Sequence, residues 1–357
     1  MLEQGTLARL FNKAAETYRK YSLTSLWNAL FPPKVAPITY NTPDEWSVDL
    51  LHYKGENGPK FATTYIHEAP DPHGVVAYVT GWKGDPRAEE ETIQNLQQAG
   101  FSVIAIALDS PVTETGSLPD NIELVKSFLF DKDAPMYKDF PADIPRFVVT
   151  HSTSGMLYQH AQLKAREEFD TLPDIQHTYH TAAFFDTAHS SRIFNPSIHK
   201  LFRIHARMNH DEPSGNSLID RLYFYVGGNA QKLATEPPSA RPTHGQISEI
   251  SALGAEYIRM KQSDTPPPRS NIPQTFYISE NDDYACPKTQ ELVAELEGAE
   301  VKFCRDEHNP LHDHDIRKDV IRSMLTKSGV LGLAPTVIPA QDDLDDGSLP
   351  ALDPTLA

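Results

Sequence analysis

An α/β fold on a mostly parallel, eight-stranded sheet is predicted by three observations on the 357-residue chain. Short β-rich runs alternate with segments of helical apolar spacing, the pattern of parallel strands joined by crossover helices. Two of those runs, GVVAYVTGW (74–82) and FSVIAIALD (101–109), are almost unbroken apolar stretches, as strands covered on both faces must be. A third, RFVVTH (146–151), breaks at a hydroxyl flanked by small residues, and a helix-like segment follows.

Taken in order, Leu7, Leu10, Phe11, Ala14, Ala15 and Tyr18 recur at helical spacing beside Arg9, Lys13, Arg19 and Lys20, which predicts an amphipathic N-terminal helix. Docking on the body is the expected role of this helix, and a weak peripheral membrane contact is the alternative. EWSVDLLHY (45–53) and KFATTYIHEA (60–69) form two strands around the turn-forming KGENG. The strand at 74–82 leads to a helix over 85–100, with Pro86 in its first turn and Gly100 as its stop, and then to the strand at 101–109. A helix near 119–130, the strand 146–151, a helix over 155–168 and a strand TAAFFDT (181–187) continue the series. QTFYIS (274–279) and EVKFC (300–304) close it, with ELVAELEGA as the helix between them.

Between 188 and 272 this rhythm is lost, and helical stretches are bounded by Pro-rich links such as TEPPSARPTHG and SDTPPPRSN. The segment reads as a helical insertion over the C-terminal edge of the sheet, where open α/β folds bind ligands. Asp342, Asp343, Asp345, Asp346 and Asp353 crowd the final stretch, which has too few apolar residues to pack. The expected organisation is an N-terminal extension (1–40), a core (41–187 and 273–333), a helical cap insertion (188–272) and a disordered acidic tail (334–357).

A formal net charge of −17 without any Lys/Arg block argues against a nucleic-acid partner. Two cysteines, Cys286 and Cys304, are too few for a disulfide framework. The opening lacks a basic region followed by a long apolar run, and no later run approaches the roughly 18 apolar residues of a membrane span. A cytoplasmic location, if need be peripheral to a membrane, is expected.

Ser152 stands at the tip of the 146–155 strand-to-helix break. A sharp turn there lifts its Oγ clear of the sheet and aims the first N–H groups of the next helix at a reacting carbonyl. Ser154 lies too far into the helix to be preferred. A serine nucleophile needs a base and an orienting acid, in the chain order serine, acid, histidine. The strand ending at Ser279 runs into ENDDYACP, which offers Asp283 as the acid, with Asp282 and the strand-end Asp186 as alternatives. The strand ending at Cys304 runs into RDEHNPLHD, which offers His308 as the base. The backbone N–H groups of Thr153 and of Trp82 are the expected oxyanion donors, with Gly81 and His151 beside the substrate. His308, His312 and His314 with Asp313 and Asp315 suggest a metal only superficially, since no His-Glu-x-x-His helix is present. No cofactor is expected.

With these residues in place the chain resembles the α/β-hydrolase family, and within it bacterial lysophospholipases and monoacylglycerol lipases. The likeness spans about residues 45–330. It rests on T-G-W (80–82), A-G-F-x-V-I-A-x-x-L-D (99–109), T-H-S-T-S-G (150–155), P-T-H-G (242–245), E-N-D-D-x-x-x-P (280–287) and D-E-H-N-P-L-H-D (306–313). The resemblance implies an α/β-hydrolase fold with a helical cap and a cofactor-independent serine esterase. Its triad falls on Ser152, Asp283 and His308, and its substrate is a small-molecule acyl ester such as a lysophospholipid or monoacylglycerol. A non-catalytic protein of this fold that binds an acyl ligand or a partner is one alternative, and an acyltransferase using the same triad is another. The chain departs from the family pattern at Thr150 and Ser154, where glycines are usual, and at Thr80, where a histidine is usual.

Overall fold

The computed structural model describes residues 22–31, 40–56, 58–82, 84–108, 117–186, 218, 221–222, 244–280, 282, 285–305 and 308–331. Eight strands form one sheet: β1 (Ser47–Gly55), β2 (Gly58–His67), β3 (Gly74–Trp82), β4 (Phe101–Leu108), β5 (Arg146–His151), β6 (His177–Thr181), β7 (Gln274–Ser279) and β8 (Glu300–Cys304). Their spatial order is β1-β2-β4-β3-β5-β6-β7-β8. The β1–β2 and β2–β4 pairs are antiparallel, and β4, β3, β5, β6, β7 and β8 run parallel. Parallel running puts the loops after β3, β5, β6, β7 and β8 at one edge of the sheet.

The helices are α1 (Leu23–Leu30), α2 (Glu90–Gln98), α3 (Leu118–Phe130), α4 (Pro135–Lys138), α5 (Thr153–Glu168), α6 (His244–Lys261), α7 (Pro287–Glu297) and α8 (His314–Lys327). Side-chain alternation along the central strands divides the core in two. Val75, Ala77 and Val79 of β3 pack with Leu124, Val125 and Phe128 of α3 and with Leu157 and Ala161 of α5. Val76 and Tyr78 of the same strand pack with Ile93 and Leu96 of α2 and with Val320 and Met324 of α8. Every residue of β3 and β4 is buried, which is why both read as uninterrupted apolar runs. At the antiparallel margin the pattern opens out: Leu51 and Tyr53 of β1 are buried, while Val48 and Leu50 are exposed.

Two readings change on folding. The strand expected over 181–187 is instead His177–Thr181. Ala182 takes a φ of 48°, which breaks the strand, and the chain turns back so that the Phe184 N–H reaches the Ser152 carbonyl at 2.9 Å. The helix expected over 85–100 begins as a 3-10 turn at Pro86–Glu89, capped by the Asp85 carboxylate on the Arg87 N–H. Helix α1 was not anticipated. The helix expected around 7–18, the tail over 334–357 and most of the proposed insertion lie outside the described residues. Among the described residues no helix is long and apolar enough to cross a membrane.

Helix α6, which precedes β7 in the chain, is fastened to α7 by an ion pair sealed from solvent. Lys261 Nζ lies 2.6 Å from Glu297 Oε1, with side-chain exposures of 3% and 1%. Glu297 also accepts from the Tyr257 hydroxyl at 2.6 Å and from the Ser270 N–H at 3.0 Å. Removing one member of a buried pair strands the other. Glu297→Leu is therefore expected to lower stability by about 3–5 kcal/mol. Lys261→Met is expected to cost less, because two donors still reach the carboxylate. Urea unfolding of both variants checks this ranking.

Candidate active site

The sharpest backbone feature lies where β5 meets α5. Ser152 has φ 56° and ψ −123°, a conformation that costs a non-glycine residue about 1–3 kcal/mol. Three backbone hydrogen bonds hold it there. The Ser152 N–H donates to the Thr181 carbonyl at 3.0 Å, and the Ser152 carbonyl accepts from Gly155 at 3.1 Å and Phe184 at 2.9 Å. The close approach of the 182–184 segment requires glycine at 155, because a Cβ there would sit 2.6 Å from Ala183 Cβ.

The Ser152 Oγ lies 2.8 Å from His308 Nε2. On the other side of the ring, His308 Nδ1 is 2.9 and 3.0 Å from the two oxygens of Asp282. A carboxylate accepts only, so Nδ1 carries the proton and the Nε2 lone pair faces the hydroxyl. Asp282 is inaccessible and His308 is 19% exposed, so the acid sits behind the imidazole and the imidazole borders the surface.

Asp283 lies outside the described residues, and the carboxylate against His308 is its neighbour Asp282. The loop folds tightly after β7, with the Asp282 N–H on the Ser279 carbonyl at 3.4 Å and the Ala285 N–H on Asp282 Oδ1 at 2.9 Å. That turn brings residue 282 inward. The alternative Asp186 holds the acid loop from below, accepting the Cys286 N–H on its carbonyl at 2.9 Å. Cys286 and Cys304 are both buried and neither is in a disulfide.

Gly81, at the end of β3, lies directly against the serine: a Cβ there would be 3.1 Å from Ser152 Cβ and 3.3 Å from His151 Cδ2. A break in the β3–β4 register between Val79 and Trp82 lets the strand end swing toward that point. Trp82 follows at the strand end. Thr153 is the first residue of α5, so its N–H has no acceptor within the helix. The His151 ring packs against His308 with centroids 5.2 Å apart. Burial, then the neighbouring His308, pushes the His151 pKa down to about 4.

Support for the histidine loop was not visible in the sequence. Glu89, at the end of the 3-10 turn after β3, accepts from Asn309 Nδ2 at 3.1 Å and faces His312 Nε2 at 3.4 Å. Burial alone would raise the Glu89 pKa, but the His312 hydrogen bond, the His312 charge and the Asn309 amide outweigh it and hold it low. The same hydrogen bond raises His312 above the ordinary imidazole value. Among the described residues no group of three or more His, Cys, Asp or Glu is arranged to hold a metal ion.

No protein-family model and no curated protein matches the chain. Solved structures do match in fold. A lipase in its open form aligns with a TM-score of 0.52 at 15% identity, covering 80% of this chain and 99% of its own. A soluble variant of the monoglyceride lipase of Saccharomyces cerevisiae, in complex with a substrate analog, aligns with a TM-score of 0.53 at 13% identity, covering 83% and 96%. At these identities the likeness shows the fold, and the sheet order and flanking helices are those of an α/β-hydrolase fold.

In an NMR titration of the imidazole C–H signals, His312 is expected to keep its proton above pH 6.5, and His151 to stay neutral down to about pH 4. The His312–Glu89 attraction is complete below the unfolded imidazole pKa and is lost as pH rises through the raised folded one. Glu89→Gln should return His312 toward its ordinary value.

Proposed function

We propose that the protein hydrolyses carboxylic esters through an acyl-enzyme, with Ser152 as nucleophile, His308 as general base and acid, and Asp282 as the orienting carboxylate. The observation that carries this reading is the chain of contacts from Asp282 through His308 Nδ1 and Nε2 to the Ser152 Oγ, with the serine on a strained strand-to-helix turn.

In the first half-reaction Ser152 Oγ attacks the ester carbonyl carbon while its proton passes to His308 Nε2. The imidazolium is stabilised by Asp282, which stays ionised. Charge then develops on the former carbonyl oxygen. The N–H of Thr153 and the strand end at Gly81–Trp82 flank that position, and we assign Thr153 and Trp82 as its donors. Breakdown of the tetrahedral adduct breaks the C–O bond to the alcohol, which takes the proton from Nε2. Water, deprotonated by the same nitrogen, then releases the acid. His151 has its pKa pushed down to about 4, so it presents a neutral wall beside His308 rather than a competing charge. A single-chain acyl ester, such as a lysophospholipid or monoacylglycerol, is the proposed substrate class, with the 188–272 segment as the cap over it.

A fluorophosphonate probe should label the wild type, and Ser152→Ala should abolish labelling. Asp282→Asn should lower kcat on p-nitrophenyl esters by about 10³–10⁴-fold, since the amide presents the wrong partner to Nδ1. Asp283→Asn should stay within a few-fold; the reverse ranking would return the role to Asp283. A wild type that neither labels nor turns over, yet is stabilised by fatty acid, would favour a non-catalytic acyl-binding protein instead.

A further inference from the structure

Three hydroxyl residues stand where this chain departs from the pattern it resembles, and each is buried and bonded across two elements of the site. Thr80, Thr150 and Ser154 are 2%, 0% and 0% exposed. A buried hydroxyl without a partner is unfavourable, so these three are stabilised by the bonds they make.

Ser154, in the first turn of α5, accepts the His151 N–H at 2.8 Å and has its Oγ 2.8 Å from the carbonyls of Val79 and His151. Val79 lies two residues before Gly81, so this hydroxyl ties the serine turn to the strand that ends at the proposed oxyanion site. Thr80 Oγ1 faces the carbonyls of Gly84, at 3.0 Å, and Ile106 of β4, at 3.2 Å. The Gly84 N–H returns to the Gly81 carbonyl at 2.9 Å, which closes the turn that carries Gly81 and Trp82. Thr150, two residues before the nucleophile, bonds His180 Nδ1 of β6 at 2.7 Å. His180 Nε2 lies 3.0 Å from Gln274 Oε1, which also accepts from Gln159 Nε2 at 2.7 Å. Nε2 is thus the donor and Nδ1 the acceptor of the Thr150 proton.

We infer that Thr80, Thr150 and Ser154 are positioning residues for the hydrolysis: Ser154 ties the Ser152 turn to β3, Thr150 ties the strand before it to β6, and Thr80 fixes the end of β3 against β4, and together they set the geometry of the oxyanion site. This rests on the hydrolase reading above. Glycines at 150 and 154 would permit the same turn but hold it to neither neighbouring strand. On this account restoring them slows the enzyme, because a displacement of about 1 Å in such a site costs up to 100-fold in rate.

The test uses the full chain with Thr80→Val, Thr150→Val, Ser154→Ala and the double variant Thr150→Gly/Ser154→Gly. For each, kcat and KM on a p-nitrophenyl ester, the rate of fluorophosphonate labelling and the melting temperature are measured. The expected result is a fall of about 10-fold or more in kcat and in labelling rate, with KM within about two-fold. The double-glycine variant should be slower than wild type, and Thr150→Ser should restore most of the rate. Variants that melt lower but keep wild-type kcat and labelling would overturn the inference, as would a double-glycine variant as fast as wild type. If a variant fails to fold, Thr150→Ser and Ser154→Cys replace it: the first should keep the rate and the second lose it, and equal rates overturn the inference. A wild type that neither labels nor turns over overturns the hydrolase reading and this inference together, and the wild-type sample alone identifies that case.

Discussion

The backbone of Ser152 is the constraint on which the rest of the site depends. A φ of 56° in a residue with a side chain is maintained only if its surroundings make every alternative worse. Here those surroundings are the Thr181 carbonyl, the Phe184 and Gly155 amides and the contact between Gly155 and Ala183. All belong to β6, the 182–184 turn or the first turn of α5. One consequence is that the segment 182–184, which touches neither His308 nor Asp282 in any bond described above, holds the Ser152 turn in place. Its Phe184 N–H holds the Ser152 carbonyl just before the helix that begins at Thr153.

From that fixed point the reacting groups are set by strand ends. Parallel pairing of β5, β6, β7 and β8 carries the serine, the acid and the histidine to one edge without any of them being close in sequence. The two distal loops are joined to each other, since the Glu280 N–H bonds the Cys304 carbonyl at 2.9 Å where β7 and β8 end. The histidine loop is held from the opposite side by Glu89 through Asn309. His308 is therefore placed by two carboxylates with different tasks. Asp282 orders the ring through Nδ1, and Glu89 orders the backbone that carries the ring.

How much of this was legible in sequence depended on whether a feature was periodic. The runs at 74–82 and 101–109 name their strands because burial on both faces leaves few polar positions to confuse the pattern, and 146–151 is named by Phe147–Val149 and by the break that follows it. Ser152 and His308 follow because each comes within a few residues of a strand end. Asp282 and Asp283 are adjacent and chemically alike, so the sequence does not separate them; the turn made by Ser279, Asp282 and Ala285 is what brings Asp282 against His308. The strand at 177–181 was misplaced for a related reason. HTYHT looks polar, yet His177, Thr178, His180 and Thr181 are all buried, their side chains paired with Thr275, Tyr158, Gln274 and Thr150. Meanwhile AAFF, which looks like a core strand, forms the turn that packs on Gly155. Helix α1 went unread because its large apolar residues Leu23 and Trp27 are exposed rather than turned to a core.

The polar composition of β6 also explains why Thr150 and its neighbours form a connected system rather than isolated bonds. Burial pushes His180 down to about 3 and His177 down to about 4, so both stay neutral and serve as hydrogen-bonding groups rather than charges. From His180 the contacts pass through Gln274 and Gln159 to Tyr257, and through Tyr257 to the Glu297–Lys261 pair on α7 and α6. An apolar core of the same volume would pack these layers with less directional demand, and replacing buried polar groups by apolar ones is often neutral or stabilising. What the polar core adds is registry: the directional bonds from Thr150 through His180, Gln274, Gln159 and Tyr257 to Glu297 join α6, β7, β6 and β5 in one arrangement. The strained turn at Ser152 lies at the end of that series, where a slip of one strand against the next would alter the serine's approach to His308.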